Sequence, residues 1–130
     1  MRNMHYNSSR LDGFVFNAPL DEVRDALVAR FSAEVDVEQG QDTEYLLTLN
    51  NGDEILESPV YEGEWGGKPG VNVRSVYFDG DFHWWAEEIF KCLTAALPYD
   101  VVINQNSVNP CFELRRENGR VTRRDYTISR

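Results

Sequence analysis

The sequence predicts an α+β domain, a curved and mainly antiparallel sheet packed on two helices in the order β-α-β-β-β-β-α-β-β-β. Two segments repeat apolar residues at three- and four-residue spacing, as helices with one buried stripe do. The rest alternates apolar and polar residues in short runs bounded by glycine, proline and Asn-Gly signals. A chain of 130 residues, 42% hydrophobic and without an internal repeat or linker, has the material for a single core spanning residues 1–130.

The first dozen residues are polar and are expected to be loose. Gly13 to Phe16 reads as a strand, ended by Asn17-Ala18-Pro19. Proline is tolerated in a helical first turn because the N–H groups there have no intrahelical partner, and Asp21 and Glu22 complement the helix dipole. Leu20, Val23, Leu27, Val28 and Phe31 form the apolar stripe of this first helix. Strands are predicted at 33–38, 45–49 and 54–56, the last two joined by Asn50-Asn51-Gly52-Asp53, where Asn-Gly accepts the positive φ of a tight hairpin. Residues 58–70 contain Gly63, Gly66, Gly67 and Gly70 with Pro59 and Pro69, and read as a mobile loop. Val71 to Phe78 alternates as a strand, and Asp79-Gly80 as a turn.

A second helix is predicted over 81–97, with Asp81 as its N-cap and Pro98 as its stop. At 100° per residue, Phe82, Trp85, Ala86, Leu93, Ala96 and Leu97 stay within about 80° of Ile89, which defines the core face. Trp84 falls on the polar side with His83, Glu87, Glu88 and Lys91. Strands at 99–104, 110–115 and 120–128 complete the order, the last pair joined by Asn118-Gly119.

The formal charge is −9, and it is unevenly placed. Asp21 to Glu64 carries thirteen acids against Arg24 and Arg30, whereas Phe112 to Arg130 carries six arginines against Glu113, Glu117 and Asp125. An acidic middle repels phosphate backbones, so no nucleic-acid partner is expected and a basic protein is the natural complement. No apolar run approaches the ~20 residues that cross a bilayer, and no apolar core of a signal peptide follows Met1, so no membrane partner and a cytoplasmic location are expected. Cys92 and Cys111 lie in apolar surroundings and read as buried thiols.

Two aromatic–acid segments are the candidate partner-binding residues. Tyr61, Glu62, Glu64 and Trp65 sit in the glycine-rich stretch, and Asp79, Asp81, Trp84 and Glu88 surround the start of the second helix. A tryptophan on a polar surface is either covered by a loop or offered to a partner as an anchor. Asp79, Asp81 and His83 alternate and are the only group resembling a metal or acid–base set, but a closed metal site needs more ligands and His5 is the only other histidine. Helix capping by Asp81, a turn at Asp79-Gly80 and an exposed His83 account for them more simply. No GxSxG elbow, P-loop or dinucleotide fingerprint is present, so no catalytic residue, cofactor or metal is assigned.

In its acidic run from Asp21 to Glu64, its α+β order, and the segments Tyr61-Glu62-Gly63-Glu64-Trp65 and Asp79-Gly80-Asp81-Phe82-His83-Trp84, the chain resembles the small acidic immunity proteins of bacterial toxin–immunity systems. The resemblance implies a cytoplasmic inhibitor that covers a toxin domain. Two other readings stand beside it: a phage-type inhibitor that mimics nucleic acid with a ridge of carboxylates, and a small enzyme using Asp79, Asp81 and His83.

Overall fold

A computed structural model describes residues 10–31, 34–37, 44–50, 55–68, 71–80, 86–106 and 110–127. The elements are β1 (Arg10–Phe16), α1 (Leu20–Phe31), β2 (Glu34–Val37), β3 (Glu44–Asn50), β4 (Ile55–Lys68), β5 (Val71–Gly80), α2 (Ala86–Ala96), β6 (Val101–Asn106), β7 (Cys111–Glu117) and β8 (Arg120–Tyr126). Element order and type agree with the sequence reading. Every strand pairing is antiparallel, in a single sheet ordered β2-β3-β4-β5-β1-β6-β7-β8.

The first strand sits in the middle of the sheet, between β5 and β6. It begins earlier than its composition suggests: Arg10 pairs with Asn106, and Leu11 is fully buried, so residues 10–12 are not loose. Asn17 leaves the strand with φ at 60°, a left-handed turn that asparagine tolerates better than most residues. α1 then buries Leu20, Val23, Leu27 and Phe31, with Val28 packed at the margin. It lies against β3, β4 and β5, while α2 lies against β6, β7 and α1.

Both helices cover the same face of the sheet. Leu11 and Val15 of β1, Val76 and Phe78 of β5, Val60 of β4, Val101 and Ile103 of β6 and Leu114 of β7 join the helical residues in one core. On α2 the buried residues are Ala86, Ile89, Phe90, Leu93 and, just beyond its end, Leu97. Phe90 replaces Ala96, which is exposed: the buried stripe centres on Ala86 and Leu93 rather than on Ile89. The N-cap Asp81 and the segment 81–85, including Phe82, Trp84 and Trp85, lie outside the described residues.

The largest departure from the sequence reading is residues 58–68, which form most of β4 rather than a mobile loop. β4 is long because it changes partners: Ile55 to Tyr61 pairs with β3, and Val60 to Lys68 with β5. Among the described residues, Pro59, lacking an N–H, pairs with β3 alone, and the stretch with Gly63, Gly66 and Gly67 pairs with β5 alone, so each occupies locally edge-like strand where such residues are tolerated. The register shifts between Gly66 and Lys68, a bulge at the glycine pair. Asp79 and Gly80, expected as a turn, extend β5 opposite Asp12 and Leu11 because β1 is long enough to pair with them.

The final hairpin follows its turn chemistry. Glu117 pairs with Arg120 across a two-residue loop in which Asn118 and Gly119 have φ of 52° and 80°. The Asn118 N–H donates to the Asp100 carboxylate at 3.1 Å, tying the turn to the entry of β6. Arg116 closes the C-terminal end of α2, its guanidinium donating to the carbonyls of Thr94 at 2.8 Å, Leu97 at 2.6 Å and Tyr99. Thr94 lies in the last turn of α2, Leu97 just past it and Tyr99 on the way to β6, so the cation ties the helix end to the following connection and complements the dipole. No helix among the described residues is long and apolar enough to cross a membrane.

Candidate functional site

Side chains alternate across a strand, so the face opposite the helices is set by the same register as the core. In β1, Leu11, Gly13 and Val15 are buried toward the helices while Asp12, Phe14 and Phe16 project the other way and are half-buried. Tyr77 of β5 pairs with Phe14, and Tyr61 of β4 pairs with Tyr77, which places three rings in a row across three strands. The ring centroids are 4.9 Å apart for Phe14 and Tyr77 and 6.2 Å for Tyr61 and Tyr77, and Phe16 stacks on Phe14 at 5.9 Å. Neither helix covers these rings.

The row continues from Phe14 to Val102 of β6 and Arg115 of β7. A second row passes from Asp79 through Asp12, Asn104 and Glu113 to Arg124. Asp12 is held from two sides: the Tyr77 hydroxyl donates to its Oδ1 at 2.8 Å, and the Asn106 amide donates to its Oδ2 at 3.0 Å. Glu113 pairs with Arg115 at 3.0 Å and with Arg124 at 3.5 Å. Tyr126, opposite Cys111 on the same face, has its phenol pushed above the ordinary value, first by burial and then by the nearby charges of Cys111, Glu113 and Asp12, with Arg124 opposing.

The sheet order also separates charge. The acidic run supplies α1 and β2 to β4, at one end of the sheet, and the arginine-rich tail supplies β7 and β8 at the other. Seven strand spacings lie between β2 and β8, about 34 Å along the sheet. On the acidic side Asp21, Glu22, Asp25 and Glu64 are exposed. Among the arginines, Arg123 pairs with Glu87 at 2.7 Å and Asp125 at 3.1 Å and lies 4.3 Å over the Phe112 ring.

Of the eight residues proposed from sequence, the four whose side chains are described, Tyr61, Glu62, Glu64 and Glu88, do not share one face of the sheet. Strand periodicity divides the first segment: Tyr61 stands in the aromatic row, whereas Glu62 is opposite core residue Val76 and lines a shallow hollow of about 280 Å³ with Asn17, Ala18 and Pro19. Glu64 pairs in register with Arg74, and Trp65 with Val73; the Trp65 side chain lies outside the described residues. Asp79 is beside Asp12 in register, and its side chain too is outside the description. Asp81 and Trp84 lie outside the described residues altogether. Glu88 is exposed on α2 and pairs with Arg30 at 2.8 Å.

Phe14, Phe16, Tyr77 and Asp12 belong to the site and were not identified from sequence. Their signal was present in β1, where large apolar residues occupy both alternations, a pattern for a strand with two faces to cover. Among the described residues no three His, Cys, Asp or Glu side chains converge as metal ligands, and His83 lies outside those residues. Cys92 and Cys111 are free thiols; burial raises the Cys92 pKa, a nearby Arg30 opposing, and its thiol meets the Ala26 carbonyl at 3.4 Å. Comparisons with protein families, with curated proteins and with solved structures find no match for this chain.

Proposed function

We propose that this chain is a non-catalytic binding protein that neutralises a basic protein partner in the cytoplasm, acting as an immunity protein toward a cognate bacterial toxin. The observation that carries the reading is the sheet order, which sets the strands of the acidic run at one end, with Tyr61 of that run beginning an aromatic row on the face away from the helices. Negative potential on one side of a molecule speeds encounter with a basic surface, and rigid rings lend a contact that slows release. Tyr61 joins the two features, since it belongs to the acidic run and begins the aromatic row.

The test is association with the product of the neighbouring reading frame, a secreted protein ending in a small basic toxin domain being the expected partner. Co-expression should protect cells from that domain, and the association rate should fall several-fold as salt rises from about 0.01 M to about 0.15 M, where the Debye length contracts from ~30 Å to ~8 Å. Tyr61→Ala, Trp65→Ala or Trp84→Ala should weaken binding by about 2 kcal/mol where the residue is an anchor. Association indifferent to salt, or confined to acidic or neutral proteins, refutes the reading.

A further inference from the structure

We infer that Asp12, with the rings of Phe14 and Tyr77 beside it, is a receptor for one arginine side chain of the partner. The inference rests on the basic-partner reading and names where on the molecule a cation is held. Asp12 differs from most of the carboxylates whose pairing is described. Glu22, bonded by the Tyr99 hydroxyl, and Asp100, bonded by the Asn118 N–H, also have neutral donors, but of the three Asp12 is the one with a donor on each oxygen and a place on the aromatic face. Glu113 on the same face has Arg115 and Arg124, Glu87 has Arg123, Glu88 has Arg30 and Asp25 has Arg24. Asp12 has only two neutral donors, the Tyr77 hydroxyl on one oxygen and the Asn106 amide on the other, and no cation among the described residues.

Those donors hold the carboxylate in place without discharging it. A carboxylate has about four acceptor positions, so each oxygen retains one after its neutral bond. Two parallel N–H groups of a guanidinium match two such oxygens, whereas an ammonium is a point charge without that fork. Phe14 is the next residue on the same strand face, and Tyr77 reaches the carboxylate itself, so a guanidinium on Asp12 would lie beside aromatic rings.

The probe is acetyl-Gly-Arg-Gly-amide, titrated into the intact chain while backbone amide shifts are followed by NMR. Peptides with citrulline or lysine in place of arginine are run alongside. Saturable shifts centred on Asp12, Phe14 and Tyr77 are expected for arginine, with binding at least tenfold weaker for citrulline and weaker for lysine. Asp12→Asn should abolish the response, and Phe14→Leu, which keeps the carboxylate, should reduce it. Equal shifts with citrulline overturn the receptor, and the wild-type chain alone decides that arm. Shifts confined to Asp21, Glu22 and Asp25 also overturn it but leave the basic-partner reading standing. Absence of any shift overturns the receptor, and the partner reading then depends on its own salt-dependence test.

Discussion

Adding one methyl group at Gly13 should destabilise the protein more than its size suggests. Gly13 is directly opposite Phe78 in the β1–β5 pair, and the Phe78 ring lies across it. A Cβ at Gly13 would stand 2.3 Å from Phe78 Cζ, 2.6 Å from Cε2 and 2.7 Å from Cε1. Carbon atoms in contact sit about 3.5 Å apart or more, so the ring must retreat by about 1.2 Å. It has little room, since Phe78 is 1% exposed and Leu11, Val15, Val60 and Val76 in the same core are all at 0%. Overpacking a filled core costs about 1–3 kcal/mol, and three close ring atoms place Gly13→Ala near the upper end, about 2.5 kcal/mol. For a chain of this length that corresponds to a midpoint lower by about 9 °C. Urea denaturation of the wild type, Gly13→Ala, Phe78→Leu and the double variant forms the assay. A leucine makes room for the methyl group, so the double variant should lose at least about 1 kcal/mol less than the two single losses together. A Gly13→Ala change within about 0.5 kcal/mol of wild type, or simple additivity, would refute the packing argument.

Arg116→Met should cost about 2 kcal/mol by removing a charged fork from three carbonyls at and beyond the end of α2, and Arg116→Lys should recover less than half because an ammonium cannot reproduce the fork; urea midpoints measure both. Glu88→Gln should change stability by no more than about 0.5 kcal/mol, since both members of its pair with Arg30 are about half exposed; a larger loss by the same assay would give that pair a structural role. Cys92 has a folded-state pKa above its ordinary value, so the protonated thiol is favoured by folding. Its contribution is fully present below the unfolded pKa and is lost as pH rises through the folded one. Stability should therefore decline on the alkaline side of pH 9, less so in Cys92→Ala, as followed by denaturation against pH.

The local content of the fold was readable because its causes are local. The Asn118-Gly119 hairpin, the α1 stripe and the stop at Asn17 to Pro19 depend on residues a few positions apart. Glycine-rich 58–68 was misread for the complementary reason: its strand character comes from β3 and β5 on either side, and glycine and proline are tolerated there where each half of β4 has a single neighbour among the described residues. Residues 10–12 and Asp79-Gly80 were misread together, since each forms strand by pairing with the other.

The chain's own residues decided which segments are helix or strand, in what order, and how charge is distributed along them, because periodicity, capping and turn preference act within a few residues. Only the tertiary structure decided that β1 lies at the centre, that the acidic and arginine-rich segments stand at opposite ends, and that Asp12 meets Tyr77 and Asn106 on an aromatic face. Those two contacts span 65 and 94 residues of chain. Their existence depends on which strands pair and in which register, a choice made by burying one whole face of the sheet beneath the helices and thereby turning every alternate side chain to the other.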